Sequence, residues 1–162
     1  MADHSDAFSV YLLADHPHLV EAVARMRWQE WGDEPGREAL SWWVEVTASE
    51  AGRHGLPVTC VAVDAVGEAA GAVGLGEFDV AERRDRSPWV LGMIVRAASR
   101  GQGVGRQLLS AVERYAARQG YPQAWVATGN PAVGFYRRCG WVETERLPPE
   151  WGDQLTILTR ML

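Results

Sequence analysis

The sequence contains no lysine, because all 16 of its basic residues are arginine. The phosphate-binding loop of nucleoside triphosphatases ends in Gly-Lys-Ser/Thr, so that class of site is excluded. Cysteine is scarce too: Cys60 and Cys139 are too few for a disulfide framework and lack the spacing of a metal site. This scarcity is typical of proteins in a reducing compartment such as the cytoplasm.

Long apolar runs are also missing. No stretch approaches the ~20 residues of a membrane-spanning helix, and the first residues lack a basic segment followed by an apolar one. We therefore expect a cytoplasmic protein without a membrane partner. The chain has 162 residues, of which 47% are hydrophobic and 23% charged, so it can bury a core of its own. It shows no repeats or linkers, which predicts one domain over residues 1–162.

Charge is unevenly distributed along the chain. Residues 1–86 hold 16 acids and 7 arginines, a net of −9, whereas residues 87–162 hold 5 acids and 9 arginines, a net of +4. The asymmetry suits an anionic cofactor in the basic part and a cationic partner in the acidic part, but solubility explains it equally well. A chain of net charge −5 without a basic stripe is not expected to bind nucleic acid.

Hydrophobic periodicity and turn residues predict the element order β-α-α-β-β-β-α-β-α-β-β. The predicted strands cover 8–13, 58–63, 70–78, 89–95, 123–127, 141–146 and 155–162, and the predicted helices cover 17–31, 37–54, 104–119 and 131–138. A run of strands followed by α/β alternation indicates a mixed sheet with helices on both faces. Gly92 lies inside one strand, which predicts a bulge or a close approach to the backbone.

The most informative segment joins the strand ending at Met93-Ile94-Val95 to the helix that follows. Between them stands Arg100-Gly101-Gln102-Gly103-Val104-Gly105, with glycine at alternate positions. Glycine lets the backbone approach a ligand closely, and the N–H groups at a helix N-terminus suit phosphate. The spacing is not the Gly-x-Gly-x-x-Gly of dinucleotide folds, so a pyrophosphate other than that of NAD or ATP is expected. The alternative is a glycine-rich turn that only caps the helix.

These residues and the element order resemble the GNAT superfamily, the acetyl-CoA-dependent N-acyltransferases. Its members read strand, Arg/Gln-Gly-x-Gly-x-Gly/Ala, then helix, and often carry Asn-x-x-Ala-x-x-Phe-Tyr-x-x-x-Gly-Phe where residues 130–141 stand here. Ala132 falls one residue early, Gly134 lies inside the helix and Trp141 replaces phenylalanine, which leaves packing on the cofactor arm open. The resemblance implies an α/β (α+β) fold with a mixed, mostly antiparallel sheet of about seven strands, splayed between the fourth and fifth.

The resemblance further implies acetyl-CoA as co-substrate and no metal. The residues implied in binding it are Met93, Ile94, Val95, Arg100, Gly101, Gln102, Gly103, Val104, Gly105, Arg106 and Asn130. The first three would contribute backbone, where an N–H can polarise the thioester carbonyl. The arginines can pair with phosphate oxygens, although Arg106 is equally an ordinary exposed residue of a first helical turn. Asn130 precedes Pro131, so it is either a helix N-cap or a contact to the cofactor.

Tyr136 is the predicted catalytic residue. A phenol with a pKa near ~10 stays protonated at neutral pH and can donate to a departing thiolate. Because a thiol has a pKa near ~8.5, full proton transfer is not strongly downhill, and the hydroxyl would act largely as a hydrogen-bond donor. The alternative role is that of a core tyrosine beside Phe135.

The general base and the acceptor pocket are left open by the sequence. Glu77, Asp79 or a water chain can accept the proton of an alkylammonium, but both acids also read as solvated loop residues. Several tryptophans can line a pocket for a cationic or apolar amine, or pack in the core: Trp28, Trp31, Trp42, Trp43 and Trp89. His16 and His18 form an isolated His-x-His, and no third metal ligand is indicated.

The predicted function is direct acetyl transfer to a primary amine on a small molecule or a peptide, by a monomer or homodimer. No cysteine stands in the motifs as a nucleophile, so no acyl-enzyme is needed. Two alternatives stay open. One is an acyltransferase that uses a longer acyl-CoA or an alcohol acceptor, and the other is a non-catalytic CoA-binding sensor.

Overall fold

A computed structural model describes residues 7–149 and 154–162. The strands are β1 (Phe8–Leu12), β2 (Val58–Asp64), β3 (Ala69–Gly76), β4 (Trp89–Val95), β5 (Gln123–Thr128), β6 (Val142–Arg146) and β7 (Thr156–Met161). The helices are α1 (Val20–Trp31), α2 (Leu40–Glu50), α3 (Val104–Arg118) and α4 (Asn130–Arg138). The order of strands and helices is the predicted one, which confirms the periodicity argument.

The seven strands form one sheet in the order β1-β2-β3-β4-β5-β7-β6. β1/β2, β2/β3, β5/β7 and β6/β7 pair antiparallel, whereas β4 and β5 run parallel. The parallel register consists of the single pair Trp89↔Trp125, next to which the Trp125 N–H donates to the Pro88 carbonyl at 3.0 Å. The predicted mixed, mostly antiparallel sheet with a splay between its fourth and fifth strands is therefore confirmed.

Two compact units make up the chain. The first unit is the described part of Met1–Leu75 together with Gly92–Val112, and the second unit is Gly76–Leu91 together with the described part of Glu113–Leu162. Each has its own apolar cluster. That of the first unit is Leu13, Leu19, Val23, Val61, Ala69, Ala72 and Ile94, and that of the second is Val80, Trp89, Leu147 and Ile157.

α3 shows how the sequence pattern becomes a buried stripe. Its predicted inward residues Val104, Leu108, Val112 and Tyr115 are at most 8% exposed. They recur every three or four positions, so they lie on one face of a 3.6-residue helix. The stripe was thus predicted correctly from the sequence.

α2 is shorter than predicted, and hydrogen bonds hold the backbone just before it. The prediction was 37–54, but the helix begins at Leu40 and ends at Glu50. Before it, the Arg37 carbonyl accepts from the Trp43 indole N–H at 2.8 Å, and the Glu38 carbonyl accepts likewise from Trp28 at 2.9 Å. These bonds favour the extended backbone seen up to the N-cap residue.

The second unit contains an ionic cluster on β6. Glu145 accepts hydrogen bonds from Arg83 Nη2 at 2.8 Å and from Arg86 Nη1 at 2.7 Å, and the Arg86 guanidinium lies 4.8 Å from the Trp125 ring centroid. Hydrogen bonds from Arg83 and then from Arg86 lower the pKa of Glu145 to about 2. A carboxyl whose pKa is depressed in the fold stabilises it above the unfolded pKa of ~4.3, and that contribution is lost as the pH falls towards the folded value.

Glu145→Gln is therefore expected to lower Tm at pH 7 by about 2–4 °C, the shift that ~1 kcal/mol produces in a chain of this size. The difference from the unsubstituted protein should shrink between about pH 5 and pH 2, where the native carboxylate is protonated in any case. Thermal scans across this range measure it, with Glu45→Gln on the exposed face of α2 as the control. A difference that does not change with pH would contradict the assignment.

Candidate functional site

The glycine loop has a backbone shape that only glycine adopts easily. Gly101 has φ +77° and Gly103 has φ +81°, and no other residue type has a positive φ in the described chain. Both glycines are exposed, and a Cβ on either would meet nothing within 4 Å. α3 begins one residue later, at Val104, so its unpaired N–H groups follow the loop directly. Glycine is therefore needed for the left-handed backbone and not for room inside the protein.

The polar side chains of this loop are tied back to the backbone before it. Arg100 Nε donates to the Val95 carbonyl at 3.0 Å, and Gln102 Nε2 donates to the Ala98 carbonyl at 3.2 Å. Within the described chain, the two Nη groups of Arg100 have no partner, so they can pair with an anion. Arg106 is exposed in the first turn of α3, as both of its sequence interpretations require.

Arg96 stabilises the entry to the loop, a role that sequence reasoning missed. Its Nη2 lies 3.0 Å from Asp64 Oδ2, its Nε donates to Ser99 Oγ at 3.0 Å, and its N–H donates to the Ala70 carbonyl at 2.8 Å. The pKa of Asp64 is lowered, first by the Glu68 N–H and also by Arg96. The only signal in the sequence was a pair of opposite charges at the ends of two strands.

The last residues of β4 lie beside a distorted backbone. Ile94 is buried, whereas Met93 and Val95 are half-buried. Gly92 has φ +54°, and its carbonyl accepts from Arg27 Nε at 3.3 Å. The close approach predicted at Gly92 is thus confirmed, and the approaching group is an arginine side chain.

Tyr136 lies in α4 and is 3% exposed. Its ring packs edge-on against Phe135, with centroids 5.1 Å apart, and against Trp141 at 5.6 Å. Burial, and secondarily the charge of the Cys139 thiol, raises the pKa of Tyr136 above its usual value of 10.0, so the hydroxyl keeps its proton. No hydrogen bond of this hydroxyl is found within the described residues, and it is not among their buried polar atoms that lack a partner.

Asn130 is not the helix N-cap that the sequence suggested. It is the first residue of α4, and Gly129 is the N-cap, with φ −73°, ψ 164° and no side-chain cap. Pro131 therefore occupies one of the first helical positions, where a missing N–H costs nothing. Asn130 is exposed, and its contact with the cofactor stays a prediction.

The candidate base residues and the tryptophans differ in exposure. Glu77 and Asp79 are exposed just after β3, which leaves both of their interpretations open. Trp43 and Trp89 are buried, and their indole N–H groups donate to the Arg37 and Arg86 carbonyls. Trp28, Trp31 and Trp42 are half-buried. The core interpretation therefore holds for two of the five, while three have surface available for contacts.

The predicted cofactor-binding and catalytic residues fall into two groups. Residues 93–106 lie together in the first unit, whereas Asn130 and Tyr136 lie together on α4 in the second unit. In residues 7–149 and 154–162, no group of three or more His, Cys, Asp or Glu could hold a metal ion. Neither cysteine forms a disulfide bond. None of the helices described is long and apolar enough to cross a membrane.

Comparison with known proteins identifies the family. The profile of the acetyltransferase (GNAT) family matches residues 16–141, and the chain belongs to this family. The match includes the glycine loop and α4 with Tyr136. No curated protein sequence matches the chain significantly.

Solved structures show the same fold. An aminoglycoside 6'-N-acetyltransferase complexed with coenzyme A has a TM-score of 0.73 at 15% identity, covering 95% of this chain and 96% of that one. A spermidine/spermine N-acetyltransferase from Vibrio cholerae, complexed with manganese ions, has a TM-score of 0.68 at 20% identity, with 98% and 95% covered. An acetyltransferase from Bacillus anthracis, solved with acetyl coenzyme A, has a TM-score of 0.58 at 16% identity, with 68% and 65% covered. Identities this low establish the fold alone.

Proposed function

We propose that residues 1–162 form a single acetyl-CoA-dependent N-acetyltransferase domain that transfers acetyl directly to a primary amine. The observation that carries this is the glycine loop: two left-handed glycines immediately precede the N-terminus of α3. This arrangement suits a pyrophosphate. The unpaired N–H groups and the positive end of the helix dipole both lie at the N-terminus of α3, where they attract negative charge. Two structural neighbours contain coenzyme A or acetyl coenzyme A, which supports the same ligand here.

The proposed cofactor site follows from the described contacts. Backbone N–H groups of residues 101–106 bind the pyrophosphate, and the Nη groups of Arg100 add charge-assisted bonds to it. Side chains of Gln102 and Arg106 flank the loop. The backbone of residues 93–95 pairs with the pantetheine arm and polarises the thioester carbonyl, and Asn130 is a further contact to the pantetheine or the adenosine part of the cofactor.

In the proposed reaction, the neutral amine attacks the acetyl carbonyl carbon and forms the new C–N bond. The carbonyl oxygen carries negative charge in the tetrahedral intermediate, until the C–S bond breaks and the electron pair leaves with sulfur. Tyr136 donates a hydrogen bond or its proton to the thiolate, and the proton that the attacking nitrogen loses goes to water, Glu77 or Asp79. The products are the acetamide and free coenzyme A thiol.

An amine panel tests the proposed function. Thiol release from acetyl-CoA is measured with polyamines, aminoglycosides, lysine peptides and simple alkylamines, beside calorimetric titration of acetyl-CoA. Turnover with at least one amine supports the proposal. Tight binding without turnover on any amine would show a CoA-binding sensor, and turnover only with an alcohol or a longer acyl-CoA would show the alternative acyltransferase.

The acceptor is proposed to be cationic. Neighbours named for aminoglycosides and spermidine support this class, and residues 1–86 of this chain carry a net charge of −9. We expect kcat/KM for the true acceptor to fall as ionic strength rises, because salt screens surface charges over about 8–10 Å. It should rise with pH as free amine becomes available. An anionic acceptor, or salt-insensitive kinetics with a cationic one, would show that the charge asymmetry serves solubility.

A further inference from the structure

Arg27 is a buried cation on α1, within the first unit. It is 3% exposed, and its Nη1 lies 3.3 Å from Thr47 Oγ1 and 3.6 Å from Glu50 Oε2. Its Nη2 is buried without a hydrogen-bond partner in the described residues. The Glu50 carboxylate offsets part of the cost of burying this guanidinium, but the donor without a partner still costs free energy. A buried Arg27 therefore points to a role other than packing.

The remaining contact of Arg27 is with the backbone of β4. Its Nε donates to the Gly92 carbonyl at 3.3 Å, so a side-chain cation binds the strand backbone at this residue. A Cβ on Gly92 would lie 3.0 Å from both Arg27 Nε and Arg27 Nη2. Gly92 has φ +54°, a conformation that residues with a side chain rarely adopt. Glycine at this position therefore permits both the left-handed backbone conformation and the close approach of the Arg27 side chain.

The orientation of the Gly92 carbonyl fixes the orientation of the next N–H. The peptide between Gly92 and Met93 is trans and planar, so the carbonyl of one and the N–H of the other point in opposite directions. Because the carbonyl points at Arg27, the Met93 N–H points away from it. A cation bound to the carbonyl oxygen also polarises the peptide unit, which strengthens its N–H as a donor.

We propose that Arg27 is a positioning residue for acetyl transfer: it holds the Gly92 carbonyl so that the Met93 N–H donates to the thioester carbonyl oxygen. The inference rests on the proposed function, because it assigns the direction and strength of an oxyanion donor in that same site. Arg27 does not touch the cofactor in this scheme. It acts through one peptide unit, and its positive charge stabilises the oxygen as negative charge develops there.

The test compares Arg27→Gln with Arg27→Lys, using Arg25→Gln as the matched control. Arg25 lies on the same helix but is exposed and pairs with Glu21 at 3.2 Å. We expect Arg27→Gln to lower kcat by about 10- to 100-fold, less than the loss of a whole oxyanion donor, while KM for acetyl-CoA stays within about twofold. Arg27→Lys keeps the charge and should recover part of the loss, and Arg25→Gln should behave like the unsubstituted protein.

A spectroscopic readout separates positioning from simple stability. The infrared carbonyl band of acetyl-CoA labelled with ¹³C at the thioester should move to lower wavenumber on binding, because the Met93 N–H polarises it. In Arg27→Gln the band should return towards its position in free acetyl-CoA, while the affinity for coenzyme A itself, which has no thioester carbonyl, is unchanged. If Arg27→Gln does not fold, Thr47→Val removes the hydrogen-bond partner of Nη1, leaves the Glu50 ion pair, and should move the band in the same direction.

The outcomes decide the inference separately from the function. A bound band and a kcat in Arg27→Gln equal to those of the unsubstituted protein would overturn the positioning role while leaving the acetyltransferase intact. Equal losses in Arg25→Gln would overturn it as well, because they would show a general effect of removing arginine from α1. If the unsubstituted protein binds no acetyl-CoA, the proposed function fails first and the inference fails with it.

Discussion

Gly103→Val is expected to abolish detectable acetyl-CoA binding while the protein stays folded. Gly103 has φ +81°, and a valine held there strains the backbone by about 1–3 kcal/mol or pushes the loop into another shape. Either result removes the N–H array that is proposed to hold the pyrophosphate, and the added methyl groups occupy the space next to it. Calorimetric titration of acetyl-CoA measures the effect.

Gly120→Val is the matched control for this experiment. Gly120 has φ +90°, follows the other end of α3, and offers a Cβ the same open space. Both variants should therefore lose similar stability in thermal scans, but only Gly103→Val should lose the cofactor. Unchanged acetyl-CoA affinity in Gly103→Val, or equal losses of affinity in both variants, would show that the loop only caps α3 and does not bind the cofactor.

The fold was predictable wherever the signal is local. Alternate glycines, the stripe Val104/Leu108/Val112 and the turn residues between strands act over a few positions, and each predicted element exists. The start of α2 was not predictable in this way. The backbone before it is held by the indole N–H groups of Trp28 and Trp43, and the Trp28 bond forms only once α1 packs beside this segment.

The backbone shape of the loop was predictable, because alternate glycines favour left-handed conformations, whereas the catalytic role of Tyr136 stays a prediction. Arg27 was missed, although its position carried a signal. It continues the spacing of Val20, Val23 and Ala24, so an arginine interrupts the inward stripe of α1. A charged residue on a buried stripe indicates a specific partner, but the sequence alone does not show that the partner is a carbonyl of Gly92.

Tyr136→Phe is expected to lower turnover by roughly ten- to a thousand-fold, about 1.4–4 kcal/mol of transition-state stabilisation, with acetyl-CoA affinity nearly unchanged. The substitution keeps the ring that packs on Phe135 and Trp141 and removes only the hydroxyl. Because that hydroxyl has no hydrogen-bond partner in the described residues, its loss should leave Tm nearly unchanged. A purely structural tyrosine would show the unchanged Tm without the loss of turnover.

The pH profile gives the second half of the Tyr136 test. Burial raises the pKa of Tyr136, so ionisation of this phenol should not limit kcat at any pH below ~10. Tyr121→Phe serves as the control, since Tyr121 lies outside the proposed site, in the turn after α3. Turnover of Tyr136→Phe equal to that of the unsubstituted protein would show that Tyr136 only packs in the core. An alkaline limb well below pH ~10 that disappears in Tyr136→Phe would instead show a phenol with a lowered pKa, contrary to its burial among Phe135 and Trp141.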